Sequence, residues 1–187
     1  MSENWDEFDG WFNRVVTEPL PAGVAVAAVA AVMGAALVAK VSRLTLMQGG
    51  LAEPDQNLWK VALESALAQQ AELRCLAKAD EQAYRAVLGT KALAAEAPAR
   101  QQTWQVATEV PIQVAEACNQ LLHRVPGLLT LCQPALRVDL QIGSWLLAKG
   151  LQAGLAAAEV NLQAWGELAE AQPLRARVEA LQEDKID

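Results

Sequence analysis

The sequence is poor in aromatic rings and poorer still in the residues that most often carry chemistry. Its 187 residues include two Phe, one Tyr and a single His. One histidine excludes any metal site built from several imidazoles, and it makes Ser/His or Cys/His catalysis a poor expectation. His123 stands after Leu121-Leu122 and before Arg124-Val125-Pro126, at an expected helix end, where an imidazole suits the helix dipole. The three cysteines, Cys75, Cys118 and Cys132, are odd in number and follow no metal-ligand spacing, so buried or half-buried thiols in a reducing compartment are expected. An excess of positive charge is missing too. The formal net charge is −7, and a chain of that sign repels the phosphate backbone of nucleic acid. There is no phosphate loop, no dinucleotide glycine fingerprint and no nucleophile elbow. The first residues, with Glu3, Asp6 and Glu7, are acidic where a secretory signal is basic, so a cytoplasmic location is expected.

What the chain has is alanine, leucine and valine. A hydrophobic share of 53% against 20% charged residues marks a folding sequence. Ala and Leu lead the helix propensities, and no segment alternates in the manner of a strand. Trp5, Phe8, Phe12, Val15 and Val16 recur at helical spacing, with Ser2 or Asn4 as the cap of this first helix. Pro19-Leu20-Pro21-Ala22-Gly23 breaks it. A second helix is expected from about Gly23 to Met47, where Gly23, Ala27, Ala31 and Ala35 form one i,i+4 row beside Gly34 and invite a closely packed neighbour. The 19 residues from Pro21 to Ala39 carry no charge and reach the length of a bilayer span. Their alanine content and the lack of an aromatic belt favour a buried central helix instead, with no membrane contact.

Further helices are expected from Pro54 through Arg74 and into Val87, with or without a bend. Others run from Pro98 to His123 with a kink at Pro111, in a short piece to Gln133, from Ala135 to Ala169, and from Leu174 to Glu183. The reading is an all-α, single-domain helical bundle of six or seven helices over residues 1–187.

Polar residues inside apolar stretches are the candidates for function. Asp139 opens the long apolar helix and Asp80 lies in Lys78-Ala79-Asp80-Glu81; either is a helix-end carboxylate or an acid at work. Asn161 is an exposed helix amide or a buried one fixing register. Lys40 and Arg43 follow the apolar run and suit a cationic last turn.

In order along the chain, these segments resemble the cyclodeaminase/cyclohydrolase family: the cyclodeaminase domain of formiminotransferase-cyclodeaminase and the bacterial methenyltetrahydrofolate cyclohydrolases. Pro19-Leu20-Pro21-Ala22-Gly23-Val24-Ala25 resembles the family's Pro-x-Pro and glycine triplet with Ser, ahead of an Ala/Gly-rich helix that ends here in Leu44-Thr45. Asp80-Glu81-Gln82-Ala83-Tyr84 resembles its Asp-x-x-Ala-(Tyr/Phe) segment, Glu109-Val110-Pro111-Ile112 its Val-Pro-Leu helix, Val138-Asp139 its Ser-Asp segment, and Asn161-Leu162 the end of its paired-Asn run. The resemblance implies a helical homodimer that takes a tetrahydrofolate derivative as substrate, with no other cofactor and no metal. Members close 5-formiminotetrahydrofolate to the 5,10-methenyl form with loss of ammonia, or open the methenyl ring with water. It implies Asp139 and Asp80 as catalytic acids, and Gly23, Lys40, Arg43, Tyr84 and Asn161 as substrate-binding residues. The cations Lys40, Arg43, Arg85 or Lys91 would meet the anionic glutamate tail.

The departures fall on polar, ligand-facing positions. Ala22, Val24 and Ala25 stand in the Gly-Gly-Gly-Ser loop, Leu46-Met47-Gln48-Gly49 replaces a basic segment, and Ala157 replaces the first Asn of the pair. Two readings follow: a folate enzyme of the family, or a catalytically degenerate relative that serves as a folate-binding or protein-interaction domain.

Overall fold

The computed structural model describes residues 5–95, 97–166 and 169–184; the expected caps Ser2 and Asn4 lie outside them. Among the described residues there are seven α-helices, one short 3-10 turn and no strand. The helices are α1 (Trp5–Thr17), α2 (Gly23–Gln48), α3 (Glu53–Thr90), α4 (Pro98–Leu122), α5 (Val125–Leu131), α6 (Pro134–Trp165) and α7 (Gln172–Glu183). Five of them, α3 to α7, carry proline in the first turn, where its missing N–H costs nothing. Gly49 and Gly166, at φ of 69° and 91°, stop α2 and α6 in a backbone conformation closed to most side chains. Helix α3 runs its 38 residues straight through Asp80–Val87.

Helix α2 lies between α3 and α6, and α4 packs on the other side of the same two. The small residues on α2 and α6 set the spacing. A Cβ on Gly34 would sit 2.7 Å from the Gly143 carbonyl, and one on Gly150 would sit 2.9 Å from the Ala31 methyl. The row of small residues on α2 is thus a contact face for α6. Further along, a Cβ on Gly154 would meet the Pro111 carbonyl at 2.5 Å, so α6 touches α4 backbone to backbone.

The expectation of a fully buried α2 needs correction. Its residues include a window with mean hydropathy 2.3, long and apolar enough to cross a membrane, yet only 44% of that window is buried. One face packs into the bundle, through Ala28, Ala31, Ala35 and Val38, while Met33, Lys40 and Met47 remain outside. Helix α6 likewise exposes Val138, Ile142, Trp145 and Val160. The thiols also differ from expectation, because Cys75 is exposed while Cys118 and Cys132 are buried. Burial pushes the Cys118 thiol up to about 12, which leaves it protonated and inert at neutral pH. His123 caps the end of α4, and its Nε2 lies 2.7 Å from Oδ2 of Asp184, tying α4 to the end of α7.

Candidate functional site

Four helices line an open cavity of about 480 Å³ at the start of α2. Helix α2 and its lead-in contribute Ala22, Gly23 and Val24. From α3 come Asp80, Ala83, Tyr84 and Val87, spaced i, i+3, i+4 and i+7, which is one helical face. From α6 come Ala153, Ala156, Ala157, Val160 and Asn161 on a similar stripe, and α4 adds Trp104 and Ala107. Five of these walls are alanines on long helices, and their short side chains leave the space that larger residues would fill. The lining is therefore mostly apolar with a few polar groups, as ligand sites usually are.

Asp80 is the acid of this cavity. Its Oδ2 accepts the backbone N–H of Ala25 at 3.2 Å. Ala25 lies in the first turn of α2, where N–H groups have no partner in their own helix. No side chain caps α2 at Ala22, so a carboxylate from the middle of α3 supplies an acceptor at that end. The helix-end role open to Asp80 is thus exercised toward a different helix from its own. Burial pushes the Asp80 carboxyl above the usual carboxylate range; the Ala25 N–H opposes the rise, and the adjacent Glu81 charge adds to it. Glu81 is itself held by Arg14, whose guanidinium donates to Glu81 Oε2 at 2.9 Å and to the Leu20 carbonyl at 3.4 Å. That clamp fastens α1 and the Pro19–Gly23 lead-in to α3, one residue from Asp80.

Asn161 reaches across from α6 to α4, where its Nδ2 donates to the carbonyl of Ala107 at 2.7 Å. Tyr84 is partly exposed at the cavity rim and Gly23 stands open, with no heavy atom within 4 Å of where its Cβ would be. The structure therefore brings Asp80, Gly23, Tyr84 and Asn161 together. It places Asp139, Lys40 and Arg43 elsewhere in the chain. Lys40 lies 17 residues beyond Gly23 on α2, about 25 Å along the helix axis. There Lys40 Nζ contacts Asp139 Oδ2 at 2.7 Å, and both cations line an open groove between α2 and α3 with Leu63 and Leu67. Arg85 is exposed, 3.9 Å from Glu81, and Lys91 is exposed beyond the end of α3.

Trp104 is the largest of the cavity residues that sequence reasoning missed, which also include Val87, Ala107 and Val160. The signal was present, since Trp104, Ala107 and Pro111 share one face of α4, but an indole on an amphipathic helix reads as core. Among the described residues no three His, Cys, Asp or Glu side chains are grouped to hold a metal ion. What the cavity offers is one carboxyl of elevated pKa, one amide, a phenol and an indole inside apolar walls. That set can donate or take one proton and place a flat, partly apolar ligand.

No curated protein matches the sequence. Among solved structures, the crystal structure of formiminotetrahydrofolate cyclodeaminase from Thermotoga maritima superposes with a TM-score of 0.82, covering 90% of this chain and 83% of that one at 21% identity. At that identity the likeness is one of fold, and it agrees with the all-α bundle read from the sequence. The model of the family described as formiminotransferase-cyclodeaminase matches residues 14–180, a stretch that takes in the α2 lead-in, Asp80, Pro111 and Asn161. By that match, over most of its length, the chain belongs to the formiminotransferase-cyclodeaminase family.

Proposed function

We propose that this protein acts on a one-carbon derivative of tetrahydrofolate at the Asp80 cavity, as a formiminotetrahydrofolate cyclodeaminase or a methenyltetrahydrofolate cyclohydrolase. The observation that carries the proposal is Asp80: a carboxyl of raised pKa, at the N-terminus of α2, facing an apolar cavity walled by four helices. In ring closure, the free ring-forming nitrogen attacks the formimino carbon, the bond to the amine nitrogen breaks, and ammonia leaves. The leaving nitrogen needs a proton, which the Asp80 carboxyl donates; its anion then faces the delocalised methenyl cation. In the hydrolytic reaction water adds to that cation and the carboxylate takes a proton from it; one carbon–nitrogen bond of the ring then breaks, the Asp80 proton goes to the released nitrogen, and the hydroxyl proton is lost to water as the formyl group forms. A carboxyl with an ordinary pKa would be almost wholly ionised at neutral pH and a poor donor; burial improves the match. This assignment gives Asp139 the ion pair with Lys40 and no proton transfer.

The test is a titration with 5,10-methenyltetrahydrofolate, following loss of its absorbance. Turnover that falls at least a hundredfold in Asp80→Asn and stays within a few-fold in Asp139→Asn is the expected result. Loss in Asp139→Asn with activity kept in Asp80→Asn would refute the assignment. A second reading, a folate-binding relative without catalysis, is favoured by Val24, Ala25 and Ala157, which put methyl groups at or beside the cavity where the family's loop and amide pair would be polar or open. Saturable binding without turnover distinguishes it.

We also propose that two copies associate through the outer faces of α2 and α6, whose exposed Met33, Met47, Ile142 and Trp145 form an apolar surface broken by Lys40. Light scattering at micromolar concentration should give twice the chain mass, and Trp145→Glu should give the monomer.

A further inference from the structure

Pro111 sits inside α4 and has no N–H, so the carbonyl four residues earlier, that of Ala107, lacks its usual helical partner. Residue Ala107 is buried against α6, where an unpaired carbonyl costs free energy. The donor that reaches it is Asn161 Nδ2, from α6, at 2.7 Å. This contact settles the orientation of the amide. A carbonyl accepts only from a donor, so the NH₂ end must face Ala107, and Oδ1 is turned away from it. Among the described residues the one side-chain hydrogen bond of Asn161 is that from Nδ2, and Asn161 lines the same cavity as Asp80.

We propose that the gap left by Pro111 is the device that orients Asn161, and that Asn161 Oδ1 is a fixed acceptor selecting ligands that present an N–H to the Asp80 cavity. The inference rests on the folate reading for the identity of that ligand, since a reduced pterin carries ring N–H and amino donors along its edge. An exposed, freely rotating amide would present NH₂ or oxygen with similar ease and select neither. Held by Ala107, one amide N–H is committed and the oxygen keeps a single position. Asn161 then discriminates by leaving its acceptor unpaired when the ligand lacks a donor. The close approach of α4 and α6 at Gly154 and Pro111, two turns before Asn161 on α6, keeps the side chain within reach of α4.

The experiment separates this role from a structural one. Asn161→Ala leaves the Ala107 carbonyl unpaired; Pro111→Ala in the same chain returns a backbone N–H to that carbonyl. Thermal unfolding and binding of 5-formyltetrahydrofolate, followed by tryptophan fluorescence, are measured on wild type, N161A, P111A and N161A/P111A. The expected pattern is a lower Tm and a roughly tenfold weaker Kd in N161A. In the double variant Tm recovers and binding does not. P111A alone, whose new N–H competes for Ala107, should be as stable as wild type and bind more weakly. If binding in the double variant recovers together with Tm, Asn161 only fills the backbone gap and the proposal is overturned. A wild-type chain that does not bind the folate at all overturns the folate reading, and this assignment with it. Wild-type binding that N161A leaves unchanged overturns the role of Asn161 alone.

Discussion

Gly154→Ala is the sharpest test of how the bundle holds its site. The new methyl would lie 2.5 Å from the Pro111 carbonyl, 3.0 Å from the Ala115 nitrogen and 3.1 Å from the Ala115 methyl. Two of these three neighbours are backbone atoms, so no rotamer change relieves the clash and α4 must move away from α6. Overpacking of this kind costs about 1–3 kcal/mol, and a rigid obstacle puts it at the upper end. Alanine returns about 1 kcal/mol through its better helix propensity. The net destabilisation is about 2 kcal/mol, and at ~2–4 °C per kcal/mol for a domain of this size the Tm falls by about 4–8 °C. Thermal denaturation followed by circular dichroism measures it. Gly89→Ala, with nothing within 4 Å of its Cβ, is the control and should leave Tm unchanged or raise it slightly. Because the displaced helix carries Ala107, G154A should also weaken ligand binding. A G154A chain as stable as wild type would refute the claim that α4 and α6 meet through their backbones.

The electrostatics of Asp80 make further predictions. Its folded-state pKa is raised by burial, so its contribution favours folding below the unfolded carboxylate pKa and is lost as pH rises through the folded value. Asp80→Asn keeps an acceptor for the Ala25 N–H, and should therefore raise Tm at pH 7, with the gain shrinking as pH falls toward about 4. Glu81→Gln removes the negative neighbour and should lower the Asp80 pKa, whereas Arg14→Ala leaves Glu81 uncompensated and should raise it. Carboxyl titration by carbon-13 NMR reads the opposite signs, while a merely mechanical clamp would move both variants the same way. Lys40→Ala, which removes a partly exposed ion pair to Asp139, should change stability by less than about 1 kcal/mol in chemical denaturation.

Much of this was legible in the sequence, because an alanine-rich helical chain writes its contacts in simple periods. The row of small residues on α2, the proline starts and the glycine stops each follow from local sterics, and the structure keeps them. The face Asp80–Ala83–Tyr84–Val87 can be read from spacing alone. Three things could not. Which end of α2 faces which residue of α6 depends on the packing direction, so the distance between Asp80 and Asp139 was not available. The exposure of α2 was not available either, since an uncharged helix looks the same buried on all sides or on one. And Trp104, though it shares a face with Ala107 and Pro111, could not be told from a core indole, because the space in front of it is made by alanines on other helices.

The positions where this chain departs from the family pattern bear unequally on the two functional readings. Ala25 takes the place of a serine, yet what Asp80 uses there is the backbone N–H, which any residue but proline supplies. That substitution leaves the acid in place. Val24 and Ala157 are different, since their side chains line the cavity and take up volume or remove polarity. The donor and acceptor geometry that survives, Asp80 on Ala25 and Asn161 on Ala107, is anchored on backbone atoms and so withstands change in the side chains around it. On the proposed reading, proton transfer at Asp80 therefore keeps its means, and the departures bear on the fit of the ligand. Substitution of Val24 by Gly should accordingly change KM for a folate substrate more than kcat, and a change confined to kcat would place the effect of that loop on the acid itself.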